Sequence, residues 1–310
     1  MNFLITGGAG FLGAALSNRL SRQGHHVRVL DDLSTGDPKA LDPEIHFTRG
    51  DINDRPKLWT LLQDVECVYH LAARVSVPES ILFPRDYNEV NVGGTVTLME
   101  AIRDAGTQRV VLASSGAIYG DQNIPTMTED LLPNPSSPYA VSKLASEWYV
   151  RTIGRLSGIE TICMRIFNAY GPGQRIPASH PPIIPNFIRQ AQQNGTLVFH
   201  GDGNQTRDYV YVDDVVNALV SASTVKGLEE PIINVGSGTE TSVRDLARLV
   251  MDLTGGEPEE VYNPRISGGV SRMRADISLA KEKLNYVPLI PLEMGLRLTI
   301  ERDKKFQNGA

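Results

Sequence analysis

The stretch Asn2-Phe3-Leu4-Ile5-Thr6-Gly7-Gly8-Ala9-Gly10-Phe11-Leu12-Gly13 decides the fold. Five residues of strand-forming character run into glycines at 7, 10 and 13, and an amphipathic run, Phe11 to Gly24, follows at once. Such glycines allow a tight turn and a close approach of backbone to a ligand. The N-terminus of the helix that follows offers unpaired N–H groups and a partial positive charge to an anion. The strand before and the helix after make this a phosphate-binding turn rather than a chance glycine cluster.

Working outward, short apolar runs alternate with helical ones. HVRVLDD (26–32), IHFTRGD (45–51), ECVYHLAA (66–73), QRVVLASS (108–115) and ETICMRIFNAYG (160–171) read as strands. The stretches around NEVNVGGTVTLMEAIRDAG (88–106) and YAVSKLASEWYVRTIGRLSG (139–158) read as helices, the second preceded by Pro138. This β/α alternation predicts an α/β fold with a doubly wound parallel sheet, whose ligands bind at the carboxyl ends of the strands. The pattern changes after about residue 170, where GPGQRIPASHPPIIP carries five prolines in fifteen residues. The expected organisation is a dinucleotide-binding domain over 1–168 and a smaller α/β substrate domain over 169–310, with a segment near 210–236 returning to the first.

The second strand ends at Asp31, eighteen residues after Gly13. A carboxylate there accepts hydrogen bonds from both ribose hydroxyls of NAD and repels a 2′-phosphate, so NAD is expected over NADP. Asp32 follows directly and is a second candidate. Asp51 and Ile52 at the end of the third strand are expected to flank the adenine.

Tyr139 and Lys143 share one helical face by their i, i+4 spacing. A phenol titrates near pH 10, and a neighbouring ammonium would lower that value. Tyr139 is therefore a candidate acid/base, and Ser115 at the end of the fifth strand can relay its proton. Lys143 can also reach the nicotinamide ribose. No Gly-x-Ser-x-Gly turn surrounds Ser114-Ser115, which argues against a serine hydrolase.

Composition narrows the class. The 310 residues are 41% hydrophobic and 21% charged, with a formal net charge of −6. There is no Lys/Arg block of the kind a nucleic-acid partner would need. Cys67 and Cys163 lie in or beside apolar runs and read as buried free thiols. The six histidines show no metal-ligand spacing. No membrane-length apolar run is present, and the first strand starts at Asn2, so a cytoplasmic location without a signal peptide is expected.

Taken together, TGGAGFLG (6–13), LDDLSTG (30–36), GDI (50–52), HLAA (70–73), NVGGT (91–95), SSGAIYG (114–120), YAVSK (139–143), RIFNAYGP (165–172), GDGNQTRDYVYVDD (201–214) and NVGSG (234–238) resemble the extended short-chain dehydrogenase/reductase family. Within it they are most similar to the NAD-dependent nucleotide-sugar epimerases of the UDP-galactose/UDP-glucose 4-epimerase type. The resemblance implies a Rossmann sheet and NAD held by Gly7, Gly10, Phe11, Leu12, Gly13, Asp31, Asp51, Ile52, Leu71, Ala72, Ala73, Asn91, Tyr139 and Lys143. It implies Ser115, Tyr139 and Lys143 as the catalytic set. Substrate is expected at Arg74, Ser76, Ser115, Asn168 and Arg207, with Arg265 or Arg272 as a further diphosphate clamp.

The implied reaction inverts C4 of a UDP-linked sugar by transient hydride transfer to tightly bound NAD, through a 4-keto intermediate. Gly116 and Ala117 stand where sugar dehydratases and uronate decarboxylases of the family carry acids, which argues against both. The sugar itself stays open. Met273 occupies a position that helps set sugar size, and Arg175 in the proline-rich loop could face a uronate. UDP-N-acetylhexosamine or UDP-glucuronate epimerisation, a nucleotide-sugar reductase or dehydrogenase, and a non-catalytic NAD sensor are the alternatives. A homodimer pairing the helices near 87–105 and 139–157 is implied by the same resemblance.

Overall fold

The computed structural model describes residues 1–228, 231–265 and 269–307. Six strands, β1 (Asn2–Thr6), β2 (His26–Asp31), β3 (His46–Arg49), β4 (Cys67–His70), β5 (Arg109–Ser115) and β6 (Glu160–Ile166), join the edge strand Ile232–Val235 in one sheet. All its pairings are parallel. From one edge the order is Ile232–Val235, β6, β5, β4, β1, β2, β3. The order reverses between β1 and β4, so a crevice opens above the carboxyl ends of those two strands.

Both faces of a parallel sheet are covered, which is why its strands read as continuous apolar runs. Alternate side chains serve opposite faces. Phe3, Ile5, Val27, Val29, Tyr69 and Val111 pack into one core, towards the helices Phe11–Arg22 and Val212–Thr224. Leu4, Leu30, Val68, Val110 and Leu112 pack into the other, with Leu58, Leu98 and Val150 from the helices Arg55–Leu61, Gly94–Ala105 and Pro138–Ser157.

Helix Pro138–Ser157 starts where the sequence says it should. Ser137 Oγ accepts the Ala140 N–H at 3.2 Å, Pro138 fills the first turn, and Gly158 ends the helix in a left-handed conformation. The helical stretch from 84 is less regular. A turn over Pro84–Tyr87 leads into a π-helical segment, Asn88–Gly93, before the α-helix Gly94–Ala105. The helices Arg55–Leu61, Val77–Leu82 and Ser278–Leu284 and the strand Glu259–Asn263 have no clear periodic signature and are added by the structure.

The chain beyond residue 168 builds a second lobe from three small two-stranded pairings and the helices Ile183–Gln192, Val243–Thr254 and Leu292–Arg302. The core on one face of the main sheet continues without a break into Phe187, Leu246 and Leu296 of this lobe. The short strands Asn168–Tyr170 and Tyr209–Tyr211 pair in parallel, directly beyond the end of β6.

Candidate active site

The site begins where β1 gives way to the first glycine. Gly7 has φ +68°, and a Cβ there would lie 2.6 Å from the Ala72 backbone nitrogen. Leu71, Ala72 and Ala73, the continuation of β4, thus form one wall against the glycine turn. Gly10 precedes the helix Phe11–Arg22 and has no side chain with which to cap it. The helix N–H groups around Phe11, Leu12 and Gly13 therefore have no side-chain cap in front of them, which leaves donors of the kind a diphosphate takes.

Asp31 ends β2 beneath this turn and is 7% exposed. Its carboxylate accepts the Ala9 N–H at 3.0 Å and the Leu33 N–H at 2.9 Å. Burial nonetheless pushes its carboxyl above the ordinary range. Asp32 is exposed and accepts hydrogen bonds from the Ser34 N–H and hydroxyl. Of the two candidates, Asp31 is the one turned under the glycine turn, while the Asp32 carboxylate closes a surface turn. Asp51 is likewise exposed and accepts the Asn53 N–H at 2.7 Å, whereas Ile52 is buried against Gly94.

Above β4 runs a buried chain of polar groups. His70 Nδ1 lies 2.8 Å from Thr6 Oγ1, and His70 Nε2 lies 2.9 Å from Thr95 Oγ1. Thr95 and Ser146 hydroxyls both donate to the Asn91 carbonyl. Asn91 Nδ2 donates to Ser142 Oγ at 2.9 Å and to the Arg74 carbonyl at 3.0 Å, while Asn91 Oδ1 accepts the Arg74 N–H at 2.8 Å. Burial first, and the Lys143 charge second, push His70 down to about 3, so it is neutral. This chain ties the ends of β1 and β4 to the π-helical segment and to the helix that carries Tyr139. Sequence reading does not anticipate it, because Thr6, Thr95 and Ser146 look like ordinary small residues of a buried sheet and helix.

Ser115 ends β5 and caps a short 3₁₀ turn, Gly116–Tyr119, by accepting the Ala117 N–H at 3.1 Å. Its hydroxyl lies on the Tyr139 side, near enough to favour ionisation of that phenol. Tyr139 is 9% exposed and packs edge-on against Tyr87, with ring centroids 6.5 Å apart. The expected lowering of its titration by Lys143 is not found. Burial pushes the phenol up, and only the Ser115 hydroxyl opposes it. Lys143 is itself buried, and burial pushes it down to about 8, against the opposing charge of Glu147. Gly116 faces the Phe167 ring, which a Cβ would meet at 3.1 Å, so no acid can stand beside Ser115 without moving that ring.

The substrate positions divide. Arg207 is largely buried. Its Nη1 donates to the Thr206 carbonyl at 2.8 Å and to the Val270 carbonyl at 2.7 Å, and burial lowers its titration. Its neighbour Asp208 faces another way, accepting from Ser237, Gly238 and Ala275. Tyr209, on the same run, has a buried hydroxyl with no hydrogen-bond partner among the described residues. Asn168 opens the strand paired with Tyr209–Tyr211.

Arg265 is exposed in the turn after the strand Glu259–Asn263, its N–H bonded to Asn263 Oδ1 at 3.2 Å. Arg272 forms an ion pair with Glu240 at the surface. Arg272 stays close to the Arg207 run, since Glu240 also accepts the Thr206 hydroxyl at 2.8 Å and the Thr206 N–H bonds the Ser271 carbonyl at 3.0 Å. Met273 is buried in the hydrophobic core rather than facing an open pocket. Ser76 caps the helix Val77–Leu82, and the half-exposed Arg74 guanidinium sits 4.0 Å from Glu79 and 3.9 Å from Asp86. Arg175 reaches the Gly36 carbonyl at 3.3 Å, on the Asp31 side of the crevice rather than the sugar side.

Among the described residues no cluster of His, Cys, Asp and Glu could hold a metal, and no helix is long and apolar enough to cross a membrane. The glycine turn, the inward Asp31 and the buried Lys143 are compatible in chemistry with a dinucleotide at this crevice.

Comparison with known proteins agrees. The profile of the NAD dependent epimerase/dehydratase family matches residues 3–236. UDP-glucose 4-epimerase of Mycolicibacterium smegmatis is 38% identical, over 97% of this chain and 98% of its own length. The crystal structure of Thermotoga maritima UDP-glucose 4-epimerase with UDP-glucose superposes with a TM-score of 0.94 at 35% identity, covering 99% of this chain and 100% of that one. That of Bacillus cereus UDP-glucuronic acid 4-epimerase, in complex with UDP-glucuronic acid and NAD, gives 0.89 at 31% identity, over 96% and 98%.

Proposed function

This chain belongs to the NAD-dependent epimerase/dehydratase family and is an NAD-dependent epimerase of UDP-linked sugars; from that premise we propose that it interconverts UDP-glucose and UDP-galactose at C4. The observation that carries the reading is the Ser115–Tyr139 pair beside an acid-free Gly116-Ala117 turn. Removal of water from C5 and C6, or loss of a carboxyl group, calls for an additional acid or base at that turn, and a Cβ at position 116 would already press on the Phe167 ring at 3.1 Å. Inversion at one carbon needs only the pair itself.

NAD, when bound, supplies reversible acceptance of one hydride. The chain's residues supply the rest. Tyr139 takes the proton of the sugar 4-hydroxyl, and Ser115 hydrogen-bonds the same oxygen, steadying it as charge moves. When the keto sugar has presented the opposite face of C4, Tyr139 returns the proton to the same oxygen, and C4 is left inverted. Lys143 holds a positive charge at the base of the Tyr139 turn and binds the ribose of the nicotinamide. The glycine turn, Asp31 and the Leu71–Ala73 wall hold the dinucleotide. Arg207 holds the diphosphate, with Asn168 and Tyr209 beside it, a guanidinium being suited to paired phosphate oxygens. Water is excluded at the reacting end because Tyr139, Lys143 and Tyr87 are all buried.

The likeness to the Thermotoga maritima UDP-glucose enzyme supports glucose as the sugar. Arg175 supports it too, since its bond to Gly36 leaves it on the adenosine side rather than opposite a uronate. The test is incubation with UDP-glucose, UDP-N-acetylglucosamine and UDP-glucuronate, with products resolved by NMR. UDP-galactose is the expected product. Turnover of one of the other two without inversion of UDP-glucose overturns the sugar assignment.

The chain functions as a homodimer on this reading. Helix Pro138–Ser157 exposes Val141, Trp148 and Tyr149, and the neighbouring Ile81, Leu82 and Phe83 are exposed as well. An apolar surface of this extent beside the helix Gly94–Ala105 is what a self-complementary two-fold contact would cover.

A further inference from the structure

The helix face that carries Tyr139 and Lys143 continues one turn further to Glu147. Glu147 is 0% exposed, and its partner Arg165, on β6, is 2% exposed. Arg165 Nη2 donates to Glu147 Oε2 at 2.9 Å and Arg165 Nε to Glu147 Oε1 at 3.1 Å, a two-pronged contact. The Ser114 hydroxyl donates to Glu147 Oε1 as well. Ser114 directly precedes Ser115 and lies opposite Arg165 in the β5–β6 register.

Arg165 is fixed from its other side. Its guanidinium lies 4.8 Å from the centre of the Tyr119 ring. The Tyr119 hydroxyl donates to Asn234 Oδ1 at 2.7 Å, and Asn234 belongs to the edge strand of the sheet. Two fully buried charges are not a default way to fill a core. Apolar side chains of the same volume are often as stabilising or more so, and an ion pair in that place invites a functional account.

We propose that Glu147 is a positioning residue for the reaction: through Ser114 it holds the strand end bearing Ser115 against the catalytic helix, and its negative charge, one turn from Lys143, keeps that side chain an ammonium. The inference rests on the roles given above to Ser115, Tyr139 and Lys143. The groups that bear on Lys143 are Glu147 on its own helix, the neutral His70 on β4 and Cys163 on β6. Arg165 and Arg151 bear in turn on Cys163, together with Glu147. Burial drives Lys143 towards the neutral amine, and Glu147 is the largest influence against it. Without that carboxylate the ammonium is lost at a lower pH as pH rises.

The test is Glu147→Gln in the NAD-loaded protein, read by the pH dependence of UDP-sugar turnover and by ¹⁵N NMR titration of Lys143. The alkaline limb of turnover and the Lys143 midpoint should both move down by about one pH unit, the lower end of what a removed neighbouring charge produces. Glu147→Asp, which keeps the charge, should restore the midpoint. A folded Glu147→Gln protein with the parent's limb and midpoint overturns the proposal. A shifted Lys143 midpoint in a protein that epimerises no UDP-sugar upholds it and overturns the functional reading instead. Should Glu147→Gln fail to fold, Glu147→Gln/Arg165→Met removes both charges together and carries the same two expectations, with an unshifted midpoint again overturning the proposal.

Discussion

Gly13 stands directly over Gly7: a Cβ on residue 13 would lie 2.1 Å from the Gly7 carbonyl oxygen. Backbone rather than a flexible side chain sets that limit, so the turn itself would have to move. Gly13→Ala should weaken NAD binding about tenfold or more, the equivalent of about 1.4 kcal/mol of lost geometry. Titration of the NAD-free protein with NAD checks this. Unchanged affinity would show that the crevice grips the diphosphate elsewhere.

Asp31 discriminates by charge. Its inward carboxylate, held by the Ala9 and Leu33 N–H groups, would face a 2′-phosphate. The protein should prefer NAD over NADP by at least about tenfold, a difference of about 1.4 kcal/mol. Asp31→Asn should bring the two affinities towards each other, as measured by competitive titration. A preference for NADP in the parent protein would contradict the assignment.

His70 makes stability depend on acid. Its folded titration is pushed down to about 3, while in the unfolded chain it sits near the ordinary 6.5. Between these values the unfolded state binds the extra proton, so stability falls as pH drops below about 6.5. By pH 5 the loss from this one group is about 2 kcal/mol. His70→Gln should remove that part of the slope, as seen in urea midpoints at pH 7 and pH 5. A parent and variant with equal slopes would show that His70 titrates freely.

Tyr139→Phe should lower turnover by about a hundredfold or more, since general acid–base catalysis contributes about 10²–10⁴-fold. Ser115→Ala should lower it less, because the Tyr139 phenol remains. NAD content should stay near the parent's in both, which separates lost chemistry from lost cofactor. Retained turnover in Tyr139→Phe would show that another group moves the proton.

How far these features can be read before folding depends on whether their cause is local. The Gly7–Gly13 turn, the Asp31 strand end and the Tyr139/Lys143 spacing are each set within a few residues, and each lies where pattern alone puts it. Asp31 and Asp32 separate only once β2 pairs with β1 and β3 and one of them is carried inward. The titration of Tyr139 departs from what its spacing to Lys143 predicts for a similar reason. Burial is a property of the whole fold, and here it outweighs the neighbour that spacing points to. Arg265 and Arg272 are adjacent in sequence to segments of the right kind, yet Glu240 and an exposed turn decide where they go. The His70 chain joins residues from β1, β4 and two helices, and no stretch of sequence contains it.

Trp148→Glu should turn a dimer into a monomer. Trp148 is 64% exposed on the helix Pro138–Ser157, and a charge at the centre of an apolar contact would have no partner there. Sedimentation of parent and variant decides the matter. A parent that is already monomeric would show that the exposed face serves something else.

The π-helical segment Asn88–Gly93 carries one residue more than a regular helix would need over the same rise. Deleting a single residue there would let the helix close into ordinary i→i+4 bonding. The repair would also remove the local widening that aims the Asn91 side chain. Asn91 would then turn away from Ser142 and the Arg74 backbone, and the ends of β1 and β4 would lose their tie to the Tyr139 helix. A shortened chain could therefore be the sturdier folder and the poorer enzyme. On this account the segment constrains chain length rather than residue identity, and a length constraint of this kind is invisible to any count of which amino acids are tolerated.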